Sequence, residues 1–208
     1  MCERNRAMIE IKSYQVFLAF TNDLEEEEKI FREVLNSYSE EIRYDDYIEF
    51  RPVTWKDIPS QDLRGHHLQD HINKKLLDKS DYCVFVIHEH LGSPLGEKDD
   101  TKGIQKTSLV KEWEVVERLL RDEGKNMQDR ACFFKEVDKK KLEKPDKNLK
   151  KVMEFKEKVI TQVLREDYDT IDKFKTCLKN SLKNWKKNLQ PIQITSSYTS
   201  LEGERSDG

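Results

Sequence analysis

Short runs of mostly apolar residues recur four times in the first two thirds of the chain, at residues 14–20, 47–53, 81–87 and 131–137. Their apolar character is nearly continuous rather than alternating, which is typical of strands covered on both faces. Apolar residues at helical spacing occupy the intervals, over residues 24–35, 68–77 and 109–120. This β-α-β-α-β-α-β order predicts an α/β domain with a parallel sheet, right-handed crossovers and helices on both faces.

The segments between these elements are predicted to be loops. Residues 55–66 join the second strand to the second helix, and residues 91–96 contain two glycines and a proline, which favour turns. Residues 97–107 are polar without a helical or strand period, so we predict a mobile connection there.

The chain changes character after residue 137. Residues 139–151 are rich in lysine and contain Pro145, and two stretches of apolar residues at helical spacing follow, at 152–163 and 171–185. We therefore predict four parts: an N-terminal segment at 1–13, an α/β domain at 14–137, a basic helical extension at 138–189 that packs on the domain, and a tail at 190–208. The tail is rich in Ser and Thr and is predicted to be a disordered tail or linker.

Composition fits a single domain with an appendage. The chain has 208 residues, 38% of them charged and 36% hydrophobic, with a net charge of -3. Acidic residues dominate up to residue 134 and basic residues dominate from 135 to 187. Acidic side chains are interleaved with the lysines, so the basic segment is interpreted as a solvated helical surface, and residues 139–151 lack the interleaved aromatic residues of a nucleic-acid site.

Four cysteines lack the CxxC spacing of metal and redox sites, and we expect them to be reduced in a cytoplasmic protein. No apolar stretch is long enough to span a bilayer, so no membrane partner is expected. His67 and His71 share a helix face, but no third ligand accompanies them, and no metal site is predicted. The chain also lacks the P-loop pattern GxxxxGK[ST], and no cofactor is predicted.

A set of short pieces, in chain order, resembles the TIR-like domain family of unknown function that precedes STAND NTPases. The resemblance extends over residues 14–187. Its pieces are residues 16–19 with 22–27, Gln69 with 72–73, 80–81, 91–96, 107–108 with 112–113, 133–135, and Phe174, Leu178 and Leu182. It implies a flavodoxin-like, TIR-like three-layer sandwich with a parallel sheet and a C-terminal helical extension, related to nucleoside deoxyribosyltransferases.

In those relatives a glutamate on a helix acts on the ribose of a nucleotide, and the resemblance carries this catalytic role to Glu112. The ligand-binding residues expected around it are Phe20, Thr21, His88, Ser93 and Ser108. Open α/β sheets bind ligands at the carboxyl ends of their strands, which agrees with this placement. Glu114 is two positions further on, so on a helix only one of the two carboxylates can face the site.

Two phenylalanines depart from the family pattern. Phe20 stands where relatives usually carry a small hydroxyl residue, and Phe85 stands near a position that is often Gly. A phenylalanine buries about 150–250 Å². The pair could therefore fill part of a nucleotide site, stack on a base, or belong to the core.

Two functions follow as hypotheses. The first is a TIR-like effector or signalling domain that cleaves the N-glycosidic bond of NAD or a related nucleotide. The second is a catalytically inert interaction domain of a defence or signalling protein that assembles with copies of itself. Homotypic self-association is expected under both.

Overall fold

The structure, a computed structural model, describes residues 11–59, 72–98, 105–160 and 165–189. Seven strands lie in these ranges: β1 Lys12–Ala19, β2 Ile48–Thr54, β3 Tyr82–Ile87, β4 Pro94–Lys98, β5 Gln105–Thr107, β6 Asp129–Lys135 and β7 Arg165–Tyr168. Five of them form a parallel sheet in the order β2-β1-β3-β6-β7. The order reverses between β1 and β3, which is the switch point where open α/β sheets bind ligands.

Five α-helices within the described ranges accompany the strands: α1 Glu25–Asp46, α2 Ser108–Arg121, α3 Lys139–Glu143, α4 Lys147–Ile160 and α5 Ile171–Asn188. Single turns of 3-10 helix lie at Asn22–Leu24, Trp55–Asp57 and Leu77–Lys79. The helix predicted over residues 68–77 lies only partly within the described residues. Its described part is a π-helical turn, Ile72–Leu76.

The side chains of the sheet alternate between two apolar clusters. On one face, Val16 and Leu18 pack with the buried residues of α1 and α5. On the other face, Phe17 and Phe85 pack with those of α2 and α4. Both faces are therefore covered, which explains why the central strands are apolar at successive positions. The predicted flavodoxin-like three-layer α/β architecture is confirmed.

The sheet has a fifth strand that the sequence analysis did not predict. Strand β7 pairs with β6 from Cys132↔Arg165 to Lys135↔Tyr168. It lies at the edge of the sheet, and Tyr168 is its one buried residue. An edge strand needs little apolar sequence because it has one neighbour and a solvated side. Residues 138–189, predicted to be helical, thus also contribute a strand to the main sheet.

The polar connection predicted at 97–107 is partly structured. Its described ends belong to an antiparallel pair, with Pro94 opposite Thr107 and Lys98 opposite Gln105. This pair precedes α2, so its second strand leads directly into the helix that carries Glu112. Residues 1–10 of the predicted N-terminal segment and the whole predicted tail at 190–208 lie outside the described residues, as do His66, His67 and His71. Among the helices that are described, none is long and apolar enough to cross a membrane.

Candidate functional site

A cavity of about 440 Å³ lies at the carboxyl ends of the central strands. Its walls come from the residues that follow β1, β2 and β3 and from the first turns of α2. Small-molecule sites commonly have volumes of about 300–1,000 Å³, so the cavity has the size of a ligand site. Its position at the strand-order switch is the one expected for this class of sheet.

The cavity brings together most of the residues that the sequence analysis singled out. Phe20, Thr21, Ser93, Ser108 and Glu112 all line it. His88 does not: its Nδ1 lies 3.5 Å from Asp23 Oδ2, outside the lining. His90, two residues further along the loop, lines the cavity instead. Both histidines belong to the loop after β3, and His90 rather than His88 lies in the cavity wall.

Glu112 is a buried carboxylate in the wall of this open cavity. The residue is 5% exposed, and its neighbour Trp113 belongs to the core below the sheet. The negative charge of Glu112 also acts on strand β3. Burial raises the pKa of the Cys83 thiol on β3, and the charge of Glu112 raises it further. Glu114 lies on the other side of α2, where it is exposed and pairs with Lys106 (Oε2 to Nζ, 2.9 Å).

The loop after β3 is attached to the first turn of α2. The N–H of Ser108 donates to the Ser93 carbonyl (3.1 Å), and the N–H of Leu109 donates to the Leu91 carbonyl (3.3 Å). Gly92 lies between these two contacts with φ +84°, and a Cβ on it would come 2.0 Å from Ser108 Oγ. Glycine is favoured there because the φ angle is left-handed and the helix lies too close for a side chain.

This close approach leads to a stability prediction for Gly92→Ala. We expect the free energy of unfolding to fall by about 1–3 kcal/mol, the usual range for a non-glycine residue held in a strained conformation. Urea denaturation measures the change. Gly124→Ala is the matched control, because Gly124 has no positive φ and its added Cβ would come no nearer than 3.3 Å to Asp122. Equal losses in the two variants would contradict the assignment.

A hydrogen-bonded chain connects this loop to the start of α1. The N–H of Gly92 donates to His90 Nδ1 (3.2 Å), and His90 Nε2 lies 3.0 Å from Asp23 Oδ1. Because Nδ1 accepts, the network assigns the ring hydrogen to Nε2, which donates to the carboxylate. Burial opposes ionisation of Asp23, but the Thr21 side chain and the charge of His90 outweigh burial and lower the pKa of Asp23. His90 in the cavity wall is therefore bonded to an ionised carboxylate that does not itself line the cavity.

Aromatic rings form another part of the wall. Phe20 and Trp55 are stacked with ring centroids 6.3 Å apart and planes at 28°. Trp55 is held by a capping box, in which Thr54 Oγ1 accepts from the N–H of Lys56 and Asp57 accepts from the N–H of Thr54. Phe85 is fully buried against Trp113, so it belongs to the core rather than to the cavity.

A second depression, of about 340 Å³, lies along α2 beside Lys158 of α4. Its side chains are mostly charged, and Glu117 in its wall is already paired with Arg121 and Arg130. Its lining residues belong to the two helices and not to the strand ends. It therefore does not lie at the point where the strand order reverses, as the first cavity does.

Trp55 and His90 line the cavity and Asp23 bonds to His90, but the sequence analysis named none of the three as a site residue. Trp55 is the first residue after β2, and Asp23 is four residues after the end of β1. The sequence indicates these residues only by their position, because each closely follows a strand whose carboxyl end lies at the same edge of the sheet. Within the described parts of the chain, no group of three or more His, Cys, Asp or Glu side chains could hold a metal ion.

No protein-family model matches the chain, and no curated protein matches it in sequence.

Proposed function

We propose that this domain cleaves the N-glycosidic bond of NAD or a closely related nucleotide, with Glu112 as the catalytic carboxylate. The observation that carries the proposal is a glutamate only 5% exposed that lines an open cavity of about 440 Å³. A carboxylate that is buried in the wall of a cleft is a candidate functional group. The resemblance to the TIR-like family supports the same residue and the same chemistry.

The reaction needs a negative charge next to the sugar. When the bond between C1′ and the base nitrogen breaks, the base leaves with the electron pair and positive charge develops on C1′ and the ring oxygen. The carboxylate of Glu112 stabilises that charge in a partly dry site. Water then adds to C1′ and releases a proton, so the products are ADP-ribose, nicotinamide and H⁺.

The hydroxyl side chains supply the groups that would hold the sugar. Thr21 follows β1, Ser93 lies in the loop after β3, and Ser108 begins α2, so they approach the cavity from three elements. Each hydroxyl can both donate and accept, which suits the vicinal hydroxyls of a ribose. The proposal extends to homotypic self-association in a cytoplasmic defence or signalling protein, which the family resemblance implies.

Incubating the purified chain with NAD tests the proposal. We expect nicotinamide and ADP-ribose to appear in equal amounts, measured by liquid chromatography over a series of protein concentrations. NADH is the matched control substrate, because its uncharged dihydropyridine ring is a poor leaving group and should remain intact. Binding of NAD without release of nicotinamide would contradict the catalytic proposal and favour a ligand-binding or interaction domain.

A further inference from the structure

The loop after β3, residues 88–93, forms one wall of the cavity and contains a side-chain hydrogen bond to its own backbone. His90, Gly92 and Ser93 of this loop line the cavity. His90 Nδ1 accepts from the N–H of Gly92, two residues further on, at 3.2 Å. An Asn or Asp side chain stabilises a tight turn by the same bond. Gly92 has φ +84°, and a glycine readily adopts other conformations unless such a contact restrains it.

The second ring nitrogen of His90 is bonded to a different element. Its Nε2 lies 3.0 Å from Oδ1 of Asp23, which belongs to the single helical turn Asn22–Leu24 before α1. Both ring nitrogens are therefore used within the protein, Nδ1 as an acceptor and Nε2 as a donor. The ring can hold Gly92 only while Nδ1 carries no proton.

A proton on Nδ1 changes one of these bonds and keeps the other. Histidine gains its second ring proton between about pH 8 and 5. Nδ1–H and the N–H of Gly92 are then two donors that face each other, so the bond to the loop is lost. Although burial opposes the ionisation of Asp23, the Thr21 side chain and the charge of His90 hold the pKa of Asp23 below its usual value. Asp23 thus stays ionised over this range and retains the charged ring.

Other titratable and charged groups surround this contact. They come from the same loop, α2, α3 and β7: His88, Glu89, Glu112, Lys141 and Tyr168. His88 Nδ1 lies 3.5 Å from Asp23 Oδ2, and its Nε2 lies 3.6 Å from Glu89 Oε1. These neighbours alter the charge around Asp23, but the N–H of Gly92 donates to His90. His90 is therefore the group whose protonation acts on the loop directly.

From these contacts we infer that His90 controls the cavity wall by its protonation. The neutral ring holds the loop after β3 in the conformation that lines the cavity, and the protonated ring releases Gly92 and with it Ser93. This control goes beyond the proposed function, because it concerns the wall whatever ligand the cavity takes. Only the role of His90 as a positioning residue for NAD cleavage rests on the proposed function.

Solvent exchange of the Gly92 amide, measured by NMR without any ligand, tests the inference. Between about pH 7.5 and 5.5 the charge of a histidine changes, so these two conditions are compared. We expect the protection factor of Gly92, corrected for the intrinsic pH dependence of amide exchange, to fall roughly 3- to 10-fold on acidification, the effect of losing one hydrogen bond. Nitrogen NMR of the His90 ring should show the hydrogen on Nε2 at the higher pH.

Three variants identify the titrating group. In His90→Asn the amide oxygen takes the place of Nδ1 and does not titrate, so the protection factor of Gly92 should stay high at both pH values. In His90→Ala it should be low at both. His88→Asn is the matched control, because it removes the other imidazole beside Asp23 and should keep the wild-type response. Thermal unfolding checks that each variant is folded.

A wild-type protection factor that does not change with pH would overturn the inference. So would a response that persists in His90→Asn or disappears in His88→Asn, since another group would then be titrating. In the NAD assay, the loss of kcat/KM on acidification should be smaller in His90→Asn than in the wild type. NAD cleavage without the Gly92 response refutes the control by His90 alone, and the Gly92 response without NAD cleavage refutes the proposed function alone.

Discussion

Replacing Glu112 with glutamine is expected to lower the rate of nicotinamide release from NAD by on the order of 100-fold or more. Removing one preorganised electrostatic group that stabilises a transition state commonly costs about 10²–10³ in kcat. Glutamine keeps the shape of a side chain that is buried in the cavity wall, since Glu112 is 5% exposed. The loss should fall on kcat rather than on KM, because the stabilised charge exists only while the bond breaks.

Glu114→Gln is the matched control for this variant. Glu114 lies on the same helix, but it is exposed and pairs with Lys106 instead of lining the cavity. Its removal should leave NAD turnover unchanged within about twofold, because an exposed ion pair contributes little. Thermal unfolding of both variants checks that the fold is retained. Equal turnover by Glu112→Gln and the wild type would remove Glu112 from the mechanism.

Replacing Glu27 with alanine is expected to lower the free energy of unfolding by about 3 kcal/mol, the lower end of the usual cost of breaking a buried ion pair, because Lys135 is 30% exposed. Glu27 is 0% exposed in the first turn of α1, and its Oε1 lies 2.7 Å from Lys135 Nζ. The Tyr168 hydroxyl donates to the same oxygen at 3.1 Å. The substitution leaves Lys135 without its partner beside the apolar core and removes the contact that joins α1 to the ends of β6 and β7.

Urea denaturation of matched variants measures this effect. Glu33→Ala, on the same helix, removes an exposed carboxylate 3.9 Å from Lys29 and should cost under about 1 kcal/mol. The double variant Glu27→Leu with Lys135→Met should be more stable than Glu27→Ala, because it removes both charges and restores apolar volume. Equal losses for Glu27→Ala and Glu33→Ala would show that the buried pair does not stabilise the fold.

The central strands could be predicted from the sequence because a strand that is buried on both faces is a continuous run of apolar residues. Strand β3 is apolar at every position from Tyr82 to Ile87, and all six residues are buried. Strand β7 has the sequence REDY and only its tyrosine is buried. Its place in the sheet depends on pairing with β6, and a pairing between distant segments leaves no local pattern for an edge strand.

Only those residues of the candidate site could be predicted that follow from the family resemblance or from their position at the end of a strand. Glu112 came from the resemblance, and Phe20 and Thr21 came from the end of the first strand. Trp55 and His90 depend on how loops fold over the strand ends, through the capping box and the hydrogen bond from Gly92. Such contacts are set by tertiary structure, and the sequence offers no periodic signal for them.

The pairing of β7 with β6 also determines how this chain can be divided into autonomous folding units. A fragment ending at residue 137 would carry four of the five strands of the main sheet and all the described residues that line the cavity. It would nevertheless expose the edge of β6 and uncover the apolar surface that α5 covers. It would also lack Tyr168 and therefore the hydrogen bond from Tyr168 to Glu27. Unpaired strand edges promote aggregation. The part of the molecule that contains the cavity thus depends on residues 138–189 to cover its edge strand and its apolar core, although none of the described residues in that segment lines the cavity.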